Sequence, residues 1–357
     1  MPVCGRADPE YSSISNFYAH PGLCWRARAV PQSYIVNEQT HFNQPLSLAL
    51  VQDVENYQGR SDKLQRTLAN ELKGWNEQIL SRKIDQLSKT IKKMNDNKGP
   101  DVIGVCEVEN RRVLERLRNS IQNAGGHNYE VIHADTQDHR GIDVAFIYDT
   151  NKFEIEPNKV FFHFIVKRVA TRDIVQVNFK AKSNGTRLVM VGNHWPSRSG
   201  GQLESEPYRI IAGETLAYFN QRIQEEHGKN TATLVMGDFN DEPFNKSITE
   251  YALGTPSVKK VENAKEAPRL FNLMWPMVAA AQGTFYHDDF NLLDQLMVSR
   301  GIVIPNAKFS VKANSVQILT YTAKAGKPRK FGRPSDSSGV DQDGFSDHFP
   351  VALELNQ

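Results

Sequence analysis

Five apolar runs in the 357-residue chain end in side chains that can hold a metal, move a proton or bind a phosphate. VCEVEN carries Glu107 and Glu109, VGNHWPS carries Asn193 and His194, and LVMGDFND carries Asp238 and Asn240. LLDQLMVS holds Asp294 within an apolar stretch, and GFSDHFPV sets Asp347 beside His348 ahead of another. Alternate residues of a strand share a face, so Glu107 with Glu109, and Asp238 with Asn240, are expected on common sides. Polar groups in sheet-forming runs are costly to bury unless paired or coordinated. Singly, each run has a plain structural reading: GDFN or SDH is a turn, a histidine after a strand is a satisfied structural group, and Asp294 pairs with an arginine such as Arg209. Five together are hard to read as five surface accidents. Carboxylates suit oxygen-preferring divalent cations, and histidine exchanges a proton near pH 7.

The elements that must position these groups follow from periodicity. LSLALVQDV (46–54) reads as a strand, and residues 61–94 carry Leu64, Leu68, Leu72, Ile79, Ile84, Leu87 and Ile91 at helical spacing. PDVIGVCEVEN is a strand followed by the amphipathic helix RRVLERLRNSI. Four strand-like runs come next: YEVIHAD, DVAFIYD, DIVQVNFKA and RLVMVGNHW. A helix over 204–226, the strand ATLVMGDFN and two late strands, FNLLDQLMVS and HFPVALEL, complete the order. Strands broken by a few helices, without strict βαβ alternation, predict a sheet-rich layered α/β domain. Residues 1–45 read as an irregular extension. Residues 254–269 and 322–343 read as insertions, the second a mobile surface loop. Its Lys324, Lys327, Arg329, Lys330 and Arg333 would also suit a lid over a polyanionic substrate.

Composition bounds the answer. No apolar run approaches the ~18 residues of a membrane-spanning helix. At 39% hydrophobic and 9% aromatic residues the chain is a folded one, and three cysteines are too few for a disulfide scaffold. A formal net charge of +2 excludes a strongly basic nucleic-acid coat but allows a local basic groove. The opening residues lack the basic and apolar regions of a signal peptide, which leaves a cytoplasmic protein, or a secreted or periplasmic one whose export signal was removed. Cys4 and Cys24 could pair in the exported case, whereas Cys106 reads as a buried thiol.

Taken in order, CEVEN, GNHWPS, MGDFND, LLDQLMVS and SDHFPV resemble the motifs of the endonuclease/exonuclease/phosphatase superfamily, the fold of pancreatic-type deoxyribonucleases, apurinic endonucleases, inositol polyphosphate phosphatases and neutral sphingomyelinases. RGIDVAFIY, ATRDIVQV and HWPSRSGGQLESEPYR look like a bacterial, often secreted, nuclease-like branch. The resemblance runs from about Leu46 to the C-terminus and implies a four-layer α/β/β/α sandwich of two mostly antiparallel sheets flanked by helices, over residues 46–357. One departure stands out: where the family's first strand ends in a metal-binding asparagine, this chain has Asp53 in Gln52-Asp53-Val54-Glu55-Asn56. A carboxylate still coordinates a hard cation but adds negative charge.

The resemblance implies a metal-dependent phosphodiester hydrolase, most simply a nuclease cleaving DNA and possibly RNA. Mg²⁺, with Mn²⁺ or Ca²⁺ as substitutes, would be held by Asp53, Glu107 and Asp347. Asp238 and His348 would position or deprotonate the attacking water, Asp347 would orient His348, and Asn240 would bind the phosphate or the nucleophile. His194 would donate to a phosphate oxygen or the leaving group, with Asn193 as its companion. Asp294 would brace the site or a second metal, and Glu109 would support it. Asp143 would either pair with His194 or simply end a strand. Arg140, Arg172 and Arg198 are candidate phosphate contacts, and Trp195 is a core anchor or a stacking platform near the scissile bond. The expected partner is a nucleic-acid substrate, with no obligate protein partner and a monomeric chain. A phosphatase or lipid phosphodiesterase (inositol phosphate or sphingomyelin type) on the same site is the alternative, and a non-catalytic nucleic-acid-binding protein is the alternative of another class.

Overall fold

The computed structural model describes residues 39–41, 66, 69 and 73–357, apart from 123–125 and 139. Asp53, Cys4, Cys24 and the expected strand at 46–54 lie outside the described residues. Three long helices are α1 (Glu77–Asn97), α2 (Arg111–Ile121) and α3 (Gln202–His227). Asn76 and Asn110 cap the first two, each side-chain oxygen accepting from the N–H three residues on at 3.0 Å.

The strands run β1 (Gln39–His41), β2 (Val102–Val108), β3 (Tyr129–Ile132), β4 (Asp143–Asp149), β5 (Phe153–His163), β6 (Ile174–Ala181), β7 (Arg187–His194) and β8 (Ala232–Asp238). After them come β9 (Gly254–Thr255), β10 (Leu270–Asn272), the hairpin β11 (Phe285–His287) and β12 (Asp289–Asn291), and β13 (Asp294–Val298). Short strands β14 (Ser310–Val311), β15 (Gln317–Ile318), β16 (Ala323–Lys324), β17 (Lys327–Pro328), β18 (Val351–Ala352) and β19 (Leu355–Asn356) follow. The first sheet is ordered β15-β18-β1-β2-β4-β3 and the second β5-β6-β7-β8-β13-β10-β9. Pairing is mostly antiparallel; β1–β2, β7–β8 and β9–β10 are parallel. Gln39–His41 thus extends the first sheet into the segment expected to be an irregular extension.

Alternation along each strand builds the layers. In β7, Leu188 and Met190 face the core between the sheets, while Val189 and Val191 face α3. In β2, Val102 faces the inter-sheet core, and Ile103 and Val105 face the buried stripe of α1 and α2. The result is helices, sheet, sheet, helix: the expected four-layer α/β/β/α sandwich. The two sheets approach closely at Gly192, where an added Cβ would lie 2.8 Å from Phe146 Cζ. That lets the strand end carrying His194 sit against the other sheet. No helix among the described residues is long and apolar enough to cross a membrane.

Candidate active site

Three adjacent strands of the second sheet bring their polar ends into one row. β7 and β8 are parallel and finish together, and β13 is antiparallel to β8 and starts there, so His194, Asp238 and Asp294 are consecutive Cα partners across the ladder. Each continues the face of its strand that packs between the sheets, as Met190, Met236 and Leu296 do. His194 Nε2 lies 3.6 Å from Asp238 Oδ2. His348 joins the row from the C-terminal segment: its Nδ1 is 2.8 Å from Asp294 Oδ2, and its ring tilts against Phe285 with centroids 4.8 Å apart. All four residues are buried. The pairing corrects one expectation. Asp294, not Asp347, is the carboxylate hydrogen-bonded to His348 Nδ1.

Asp238 and Asn240 come together as expected, through a turn in which Asn240 has φ +49°. Asn240 N–H donates to Asp238 Oδ1 at 2.7 Å, and its Nδ2 donates to Asp238 Oδ2 and to Trp195 O, both at 3.0 Å. With its amide hydrogens engaged, Asn240 has its Oδ1 acceptor left to offer a water rather than a donor for a phosphate. Gly237 is required at the strand end: its φ is +144°, and a Cβ there would lie 1.9 Å from Asn193 O.

Two expected phosphate contacts prove to be braces. Arg198 donates to Asn240 O (2.8 Å), Asn291 Oδ1 (3.0 Å) and Asn245 Oδ1 (3.1 Å), clamping the 240–245 turn. Arg172 is buried, with Nη2 donating to Trp195 O at 2.6 Å and Nη1 3.3 Å from Asp138. Asn193 is not the companion of His194 either. Strand alternation turns it to the opposite face, where its Oδ1 accepts from Trp195 Nε1 at 3.0 Å and its Nδ2 donates to Val191 O and Met236 O. Trp195 is fully buried core. Asp143 pairs with His133 Nε2 at 3.0 Å and with Thr136, not with His194.

The first sheet supplies the carboxylates. A bulge in β2 sets Cys106 and Glu107 against a single residue of β4: Val105 pairs with Ala145, yet Val108 pairs with Asp143. Glu107, at φ +59°, is thereby turned toward the site while Val108 returns to the helix side. Burial raises the Glu107 pKa to about 7; the charges of Asp347 and Asp238 push the same way, and Arg140 and Arg172 oppose them. Asp347 is also raised, chiefly by burial, against the pull of His348, Lys330 and Lys83. Glu107 Oε2 and Asp347 Oδ1 are sealed from solvent with no hydrogen-bond partner among the described residues. Two such acceptors whose charges bear on each other fit a hard divalent cation. Glu109, just past β2, is buried nearby in sequence.

Two residues escaped the motifs. Lys83 is fully buried, its Nζ 5.7 Å from the Trp75 ring and 5.9 Å from Phe331; burial lowers its pKa to about 7, and the charges of Glu107 and Asp347 raise it. The signal was present: Ile79, Lys83, Leu87 and Ile91 form one i, i+4 stripe, so a lysine occupies a core position of α1. Asp173 precedes β6, and continuing the β6–β7 ladder from Val175–Gly192 sets it opposite His194. Its pKa is raised to about 7 by burial and by Asp143.

Two further His/Asp groupings have ligand atoms within 4.8 Å: Asp101–His127–Asp149 and His133–Asp135–Asp143. The first lies at the opposite end of β2 and β4 from Glu107, and in both the histidine already bonds an aspartate directly. The 322–343 segment, expected as a mobile basic lid, carries its own counter-charges. Arg329 forks onto Asp341 with two 2.8 Å bonds, Arg333 pairs with Asp336, and Lys324 lies 3.7 Å from Asp341. Arg82 of α1 holds the segment through Gln342 O and Asp343.

Residues 53–357 match the Endonuclease/Exonuclease/phosphatase family. No curated protein sequence matches the chain. Among solved structures, the chain is similar to a Bacteroides thetaiotaomicron mannosyl-6-phosphatase, with 18% identity, 78% of this chain and 91% of that one covered, and a TM-score of 0.50. A second Bacteroides thetaiotaomicron structure, described as an endonuclease/exonuclease/phosphatase family protein, gives 18% identity, 77% and 89% coverage, and a TM-score of 0.51. Humanized D. rerio TDP2 gives 11% identity, 80% and 96% coverage, and a TM-score of 0.51. At these identities the likeness is one of fold.

Proposed function

The chain belongs to the endonuclease/exonuclease/phosphatase family, and on that premise we propose that it is a metal-dependent phosphodiester hydrolase acting on nucleic acid, DNA in the first place. The observation that carries this reading is the row His194–Asp238–Asp294 with His348 bonded to its end, together with Glu107, on which the charges of Asp238 and Asp347 bear, and the buried Glu107 and Asp347 oxygens that have no hydrogen-bond partner among the described residues.

Glu107 and Asp347 would hold a divalent cation, with Mg²⁺ or Mn²⁺ suiting their oxygen donors, and Asp53 would join them. Such an ion polarises the phosphoryl oxygens and offsets the charge on the leaving oxyanion. The rest is work for the chain's own groups. Asp294 fixes the His348 Nδ1–H tautomer, so that Nε2 is the nitrogen that takes a proton from water, and stabilises the imidazolium formed. Asp238, held by Asn240, accepts a hydrogen bond from the attacking water and orients it. His194 donates to a non-bridging oxygen or to the departing oxygen. Arg140, 36% exposed at its side chain and close enough to lower the Glu107 pKa, is the guanidinium best placed to meet the phosphate.

A second reading, a phosphatase or lipid phosphodiesterase, is favoured by the 322–343 segment, where Lys324, Arg329, Lys330 and Arg333 meet Asp336, Asp341 or Asp343 of the segment itself rather than being offered to a polymer. One assay separates them: supercoiled plasmid, RNA, an inositol phosphate and sphingomyelin, each with Mg²⁺, Mn²⁺, Ca²⁺ or chelator. Chelator-sensitive plasmid nicking lost in His194→Ala and His348→Ala supports the nuclease. Turnover of only the small phosphoesters moves the assignment to the second reading.

A further inference from the structure

Seven large apolar side chains stand exposed among the described residues, and five of them are on the loops and the helix start at the end of the second sheet where His194 and Asp238 lie. Val166 and Val169 are on the loop between β5 and β6, Leu203 and Tyr208 on the first turns of α3, and Phe244 on the turn after Asn240. These loops are tied together. Lys167 Nζ lies 4.7 Å over the Tyr208 ring, Arg209 pairs with Asp241 at 2.8 Å, and Arg198 bridges to Asn245 beside Phe244. Cations line the β5–β6 side of this rim. Arg140 and Arg172 share the single carboxylate Asp138, at 3.6 and 3.3 Å. Lys167 lies close enough to both arginines that, after burial, their charges are what lower its pKa. Positive charge therefore runs from Tyr208 and Lys167 to Arg140, and Arg140 in turn bears on Glu107.

We propose that this rim is a track for single-stranded nucleic acid, in which Tyr208 and Phe244 stack unpaired bases while Lys167 and Arg140 carry the backbone into the Glu107 end of the site. The inference rests on the nuclease reading and narrows its substrate. Exposed aromatics interleaved with cations recognise the π-face of bases and the phosphates between them. In a duplex those faces are stacked away, and only the phosphate contacts remain.

The test is equilibrium binding of the full-length protein, in chelator to stop turnover, to a fluorescein-labelled 20-nucleotide single strand and to its duplex. The single strand is expected to bind on the order of tenfold more tightly. Tyr208→Ala and Phe244→Ala should each weaken single-strand binding about five- to tenfold and leave duplex binding unchanged. Lys167→Ala should lower the salt dependence by about one phosphate contact. Equal affinity for both forms, or single-strand binding untouched by the two aromatic variants, overturns the proposal. So does preferential competition by an inositol polyphosphate, which would make the rim a small-polyanion site. Turnover of bis-p-nitrophenyl phosphate with Mg²⁺ is read in parallel. If it persists while the binding result fails, only the track is lost; if no phosphodiester is turned over, the nuclease reading falls with it.

Discussion

His348 Nδ1 and Asp294 Oδ2 are 2.8 Å apart, although 54 residues of chain separate them and Asp347 stands next to the histidine. The bond joins the start of β13 to the C-terminal segment, while Asp347 exchanges charge interactions with Glu107 and Lys83. The two aspartates should therefore fail differently. Asp294→Asn is expected to cut kcat by about 10²–10⁴ through loss of the tautomer-fixing carboxylate, with divalent-metal affinity unchanged. Asp347→Asn is expected to weaken metal binding. Calorimetric Mn²⁺ titration beside kinetics distinguishes them, and equal metal affinities in the two variants would refute the division.

Glu107 makes metal binding pH-dependent. Its pKa of about 7 means that a proton competes for the carboxylate below neutrality, so Mg²⁺ affinity should rise up to about tenfold per pH unit toward pH 7 and flatten above it. In the metal-free protein the raised value makes the folded form bind the proton more tightly than the unfolded one. Glu107 thus lowers stability progressively between about pH 4.5 and 7. Melting in chelator at pH 5 and 7, wild type against Glu107→Gln, should show the variant gaining clearly more at pH 7 than at pH 5.

Asp173 follows the same sign for the same kind of reason. Burial and Asp143 hold its pKa near 7, so the ionisation penalty accrues between about pH 4 and 7 and is complete above. Asp173→Asn should be more stable than wild type at pH 7.5, by roughly 1–2 kcal/mol, and by a clearly smaller margin at pH 4.5. Chemical denaturation at the two pH values measures the difference.

Arg172 and Arg140 divide into brace and contact. Arg172→Met would take from the buried Asp138 its guanidinium partner and from the Trp195 carbonyl one of its two donors, and should cost about 3–5 kcal/mol in denaturation. Arg140→Ala should change stability by under about 1 kcal/mol, because its ion pair is partly solvated, and raise KM instead. A stable Arg172→Met variant with a raised KM would reverse the assignment.

The sequence by itself determined the layers and the polar strand ends. Period-two alternation in β2, β7, β8 and β13 and the stripe through Ile79, Leu87 and Ile91 follow from local side-chain geometry, which neighbouring residues suffice to specify. The pairing of Asp238 with Asn240 was legible for the same reason, as two residues on one turn. Lys83 was visible only as a lysine in an apolar stripe, without any indication of the carboxylates it meets.

Only the tertiary structure decided the partners. Asp294 holds His348, Asp143 holds His133, and Asn193 turns to Trp195, because those choices depend on ladder register and on which face meets the other sheet. The bulge at Cys106–Glu107 breaks the alternation that made Glu107 readable, and pairing with β4 creates it. A hydrogen bond between distant segments is set by how two sheets stack. A linear pattern carries the period of each strand but not the offset between them.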